Sequence, residues 1–205
     1  MAALSDAAAA FGVGVALGAS PGPVQFVLLT EASRGGFRRG FRAMAGANGT
    51  FALLLVALAA GLSFLSPGPV AVRVLKVVGG GFLLFVAIGA VRDLREVEGE
   101  APRSRLGPTP RGALAVVLNP GAWLFLATTG SAVVAAATRD GGKPLAFLTV
   151  AALMAGVAVI DGTMVVIGGG AAARLNGTAA RAVRLVLVAT LAAIGAWFLF
   201  QGVRA

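Results

Sequence analysis

Six apolar stretches, near residues 7–30, 43–65, 69–91, 112–138, 144–173 and 185–203, take up most of this 205-residue chain. A helix needs about 20 mostly apolar residues to cross a hydrocarbon core at 1.5 Å rise per residue, and all six qualify. Only 12% of the residues are charged, whereas a soluble domain carries about 25%. A chain like this cannot cover itself for water, so lipid is its solvent. The sequence predicts an all-α polytopic membrane protein with six transmembrane helices. Residues 1–31 carry no basic n-region before the first apolar run, so this segment is read as retained rather than as a cleaved signal.

Lys and Arg placement orients the spans. Twelve basic residues fall on one side: Arg34, Arg38, Arg39, Arg42, Arg92, Arg95, Arg103, Arg105, Arg111, Arg174, Arg181 and Arg184. Five fall on the other: Arg73, Lys76, Arg139, Lys143 and Arg204. The first side is expected to be cytoplasmic, with both termini outside. Arg73 and Lys76, at the start of the third span, read as side chains that snorkel to the headgroups. One polar stretch, 92–111, holds four of the eight acids and three prolines and reads as a cytoplasmic linker. It divides the chain into a three-helix repeat over 1–91 and a second over 112–205. An odd number of spans per half makes the repeats inverted, a common transporter plan with its site near the midplane.

Two spans are interrupted where interruption costs most. The first contains Ser20-Pro21-Gly22-Pro23, and the fourth contains Asn119-Pro120-Gly121. Proline removes a backbone donor and clashes with the preceding turn. In lipid the freed groups survive only against protein or a wet cavity, and paired breaks in two halves point to a binding site. Gln25, Asn48, Asn119 and Asp161, from the first, second, fourth and fifth spans, fall about 10–18 Å from the basic side. They share a layer near the middle of a core about 30 Å thick. Asp161 is the strongest single signal, because a carboxylate at that depth costs at least about 2.5–3.5 kcal/mol. Glu31 reads as a solvated pair with Arg34, the two Gly-Gly-Gly runs at 79–81 and 168–170 as packing positions, and Trp197 as an interfacial anchor.

These motifs, in this order, resemble the lysine exporter (LysE/RhtB) family of bacterial amino-acid efflux permeases. The resemblance rests on "SPGP" at 20–23, the basic loop "SRGGFRRGFRAMAGANGT", the third-span "LKVVGGGFLLFVAIGAVRDLR", the fourth-span "GALAVVLNPGAWLFL" and the acid at Asp161. The chain departs from the family pattern at "ATTGSAVV", which replaces the usual end of the fourth span, and at Gly162, where an aromatic is common. The resemblance implies export of amino acids or similar small solutes across a bacterial cytoplasmic membrane. The candidate substrate-binding set is Ser20, Pro21, Gly22, Pro23, Gln25, Asn48, Asn119 and Pro120, with Asp161 as the proton-coupling or cation-pairing group.

Other functions fit less well. The chain has no cysteine and no histidine, and no serine–histidine, metal-binding or paired-carboxylate constellation, so an intramembrane enzyme is disfavoured and no cofactor or metal is expected. The net charge of +9 follows membrane topology rather than a nucleic-acid-binding stripe. The expected partners are a small-molecule substrate and the lipid bilayer, and a homo-oligomer is compatible with the sequence. Moving one positive charge outward against 100 mV costs about 2.3 kcal/mol, which one exchanged proton can supply. Proton antiport is the mechanism expected, with an uncoupled channel or lipid-handling protein as the alternative.

Overall fold

The computed structural model describes residues 2–20, 22–61, 68–95, 106–174 and 177–204, and helix accounts for nearly all of them. The elements are α1 (Ala2–Ala19), α2 (Pro23–Ala59), α3 (Pro69–Arg95), α4 (Pro108–Val117), α5 (Pro120–Phe125), a π-helical turn (Leu126–Gly130), α6 (Ser131–Arg174) and α7 (Gly177–Arg204). Large apolar side chains such as Leu53, Val70, Val186 and Val203 are exposed on the bundle, as lipid-facing positions should be. This is an all-α polytopic membrane protein.

Two of the helices are not straight rods. α2 is broken at Gly35 (φ −147°, ψ 26°) and Gly36 (φ 69°, ψ −168°), and α6 at Gly141 (φ −152°, ψ 18°) and Gly142 (φ 67°, ψ −166°). Gly36 and Gly142 need the left-handed region that side chains avoid. At the first of these turns the chain folds back on itself, for Ala32 lies against Gly40 and Arg39 reaches Glu31. Among the described residues, four helices are long and apolar enough to cross a membrane. With the two glycine turns opened out, the described residues make six passes. The first is α1 with the 23–34 leg of α2, the second the 37–59 leg, and the third α3. The fourth is α4, α5, the π turn and the 131–140 leg of α6, the fifth the 143–174 leg, and the sixth α7.

The passes meet through reciprocal glycine contacts. A side chain at Gly14 would run into the Leu153 carbonyl, and one at Gly156 into the Phe11 carbonyl. Gly46 stands in the same way against Thr109, and Gly112 against Ala43. Gly80 and Gly195 face each other's carbonyls. The first pass therefore crosses the fifth, the fourth crosses the second and the third crosses the sixth, each with backbones close enough to exclude a methyl group. The expected packing role of the 79–81 and 168–170 runs holds at Gly79, Gly80, Gly168 and Gly169, which all touch neighbouring helices.

Element ends differ from the sequence reading in one respect that matters. α4 starts at Pro108, so Arg111 belongs to a helix and is 1% exposed, not part of an aqueous linker. α3 likewise continues to Arg95. The rest of the linker, 96–105, lies outside the described residues.

Candidate functional site

The first break separates α1 from α2. Gly22 is extended (φ −150°, ψ 176°) and precedes Pro23, the first residue of α2, with no side chain capping the helix start. Pro21 lies outside the described residues. The second break falls at Leu118 and Asn119, between α4 and α5, and it is repaired by side chains. Asn119 Oδ1 accepts the Gly121 amide at 3.0 Å, and the Trp123 indole donates to the Val117 carbonyl at 2.7 Å. Those two bonds satisfy an amide and a carbonyl that the proline would otherwise leave exposed to lipid.

Both breaks lie at one depth. From the first break to the Gly35 turn α2 runs 12 residues, and from its start to the second break α4 runs 10, or about 18 and 15 Å at 1.5 Å per residue. Between them is a cavity of about 620 Å³. Ser20, Gly22, Pro23, Gln25, Asn48, Asn119, Pro120 and Asp161 all line it, so every described residue of the candidate set comes to one place. Leu17, Val24, Phe51, Val157 and Phe198 supply apolar wall. Asp161 is 1% exposed and faces the side chains of Gln25 and Asn48. Its Oδ1 and Asn48 Nδ2 have no hydrogen-bond partner in the protein.

Three features were missed by the sequence reading. Lys76 lines the cavity, which its reading as a snorkelling residue did not anticipate. Its spacing of three from Gly79, the start of a run already read as packing, places it on an inward face and is the signal that could have found it. The "ATTGSAVV" departure falls on the π turn, where Ala127 borders the cavity and the Phe125 ring rests on Phe51 at 5.9 Å. π turns inside α-helices are frequent at functional sites.

Glu31 is the third, and it corrects an expectation. It is fully buried, and it receives Arg39 at 2.7 Å, Arg111 at 2.5 Å and Arg34 at 3.3 Å. The solvated surface pair with Arg34 is instead a buried cluster that ties the first, second and fourth passes together on the Arg-rich side. A salt bridge to Arg34 alone was legible from the spacing of three; Arg111, 80 residues away, was not.

Six helical passes, two of them broken at a common depth around a cavity with a buried carboxylate, define a polytopic membrane protein with a site among its helices. The chain belongs to the LysE type translocator family, whose model matches residues 15–202. The family consists of membrane exporters of amino acids or related solutes, transporters rather than enzymes. No curated protein and no solved structure matches the chain.

Proposed function

We propose that this protein exports an amino acid or a closely related small solute from the bacterial cytoplasm, by alternating access coupled to proton antiport. The observation that carries the reading is the meeting of both helix breaks, Gln25, Asn48, Asn119 and Asp161 at one cavity in the membrane layer. Uncapped backbone at the start of α2 and the neutral amides of Gln25, Asn48 and Asn119 would hold polar groups of the substrate. Asp161, with one oxygen unpartnered, would carry a proton inward on the return step.

The cavity draws on the first turns of α3 and the last turns of α7, through Val72, Lys76, Ile194 and Phe198. Both ends belong to the Arg-poor side, while the Glu31 cluster closes the Arg-rich side. This supports an outward-facing state with the Arg-rich side cytoplasmic and both termini outside. Alternating access then requires the Glu31 cluster to open. We further propose that residues 1–91 and 112–205 are inverted repeats. The matching glycine turns at 35–36 and 141–142 and the exchanged crossings of first on fifth and fourth on second pass support it.

The test is a panel of amino acids in proteoliposomes loaded on the inside. Saturable efflux of at least one of them, with counterflow from the other side, is the expected result. Flux that grows linearly with concentration and shows no counterflow would replace the carrier with a channel.

A further inference from the structure

We propose that Lys76 anchors the substrate's carboxylate, opposite Asp161, so that the cavity selects a zwitterion. The inference deepens the exporter reading and rests on it. Lys76 and Asp161 are the charged residues that line the cavity; the other lining residues are neutral. No ion pair joins them, and among the described residues neither has an ionic partner within 4.0 Å. The cavity wall thus carries one basic and one acidic residue with no ion pair between them.

The position of Lys76 is fixed by its helix. Three residues further along α3, Gly79 lies against the Leu118 carbonyl, so close that a side chain there would overlap it. That contact holds the face of α3 carrying Val72 and Lys76 beside the second helix break, next to Asn119 and Pro120. Arg73, one face away, shows what the alternative looks like. It donates to the Gly202 and Val203 carbonyls at 2.9 and 3.4 Å, closing the end of α7. The two basic residues of α3 therefore do different jobs: Arg73 is spent on the fold, and Lys76 is left facing the cavity.

A ligand that satisfies both charges must bring a carboxylate and an ammonium together. An α-amino acid does so, and the apolar wall of Leu17, Phe51, Val157 and Phe198 accepts an aliphatic side chain. An amine without a carboxylate meets repulsion from Lys76, and a carboxylate without an amine meets repulsion from Asp161. Discrimination here works by rejecting the wrong charge as much as by binding the right one.

The experiment is calorimetric titration of the full-length protein in detergent with three probes of one shape: leucine, leucinamide and 4-methylpentanoate. Wild type is expected to bind leucine at least about tenfold more tightly than either analogue. Lys76→Met should weaken leucine about tenfold or more and leave leucinamide equal or tighter, while Lys76→Arg keeps leucine within about threefold. Lys76→Gln serves as a second neutral variant, and a thermal melt of each variant confirms the fold. Equal binding of leucine and leucinamide by wild type overturns the inference without any variant. So does a folded Lys76→Met protein that binds leucine as wild type does. If wild type binds none of the three but carries another amino acid of the panel, that amino acid, its amide and its deaminated acid take the place of the three probes, and equal binding of the amino acid and its amide then overturns the inference while the exporter reading stands. If it carries nothing in that panel either, both fail.

Discussion

Glu31 and Asp161 are both fully buried carboxylates, and the protein treats them in opposite ways. Glu31 is surrounded by three guanidiniums. Its charge is neutralised and its oxygens are occupied, so it has nothing left to offer a solute. Asp161 faces two neutral amides and a cavity, and one of its oxygens is unpartnered. Charge burial alone therefore does not mark a transport site. On the proposed reading, what separates the structural acid from the working one is whether its hydrogen-bonding capacity is filled by the protein. The sequence reading also favoured Asp161, but it took Glu31 for a solvated pair, because it lies near a helix end with Arg34 three residues on.

The contrast breaks most sharply in stability measurements. Glu31→Ala removes the carboxylate that Arg34, Arg39 and Arg111 share, and removing one partner from a buried pair costs about 3–5 kcal/mol. A large fall in the melting temperature of the detergent-purified protein is expected, whereas Asp161→Asn, a near-isosteric change beside amides, should shift it far less. Equal destabilisation by the two variants would erase the distinction. Next in size is Gly46→Leu. Its side chain would meet the Thr109 backbone, which cannot turn aside as a side chain can, and such overpacking costs about 1–3 kcal/mol. The same crossing of second and fourth passes lies between the Glu31 cluster and the cavity, so this variant should loosen both.

Smaller effects sharpen the picture. Trp123→Phe keeps the ring and removes the donor to the Val117 carbonyl, for a loss of about 1 kcal/mol or somewhat more, read as a lower melting temperature. No loss would mean that the second break is satisfied in some other way. Arg39→Ala comes last. Arg39 is the most exposed member of the Glu31 cluster, at 27%, and water screens its pairing, so a cost below about 1 kcal/mol is expected. An Arg39→Ala loss as large as that of Glu31→Ala would show that the cluster acts through its exposed rim.

Much of this was legible in the sequence. Length and hydropathy determined the six passes, because the bilayer permits few alternatives. Proline chemistry pointed to both breaks, and counting residues from the basic side brought Gln25, Asn48, Asn119 and Asp161 to one depth. Depth, however, says nothing of azimuth. Lys76 was read by its distance from the end of α3, where a long side chain can snorkel, although its face turns it into the cavity. Arg111 was read as linker because proline and charge surround it, although Pro108 and Pro110 begin a helix, where proline is tolerated in the first turn. The glycine turns at 35–36 and 141–142 were hidden inside runs that read as loops. Only contacts between distant passes reveal which residues share a space.

The central claim is that Asp161 works at the cavity as the coupling acid, while Glu31 holds the Arg-rich side together. The most direct measurement is amino-acid efflux from loaded proteoliposomes driven by an imposed pH gradient, comparing wild type with Asp161→Asn at equal reconstitution. The account expects pH-driven efflux to fall at least about tenfold in the variant while gradient-free exchange of the same amino acid persists. Full pH-driven efflux by Asp161→Asn would contradict it.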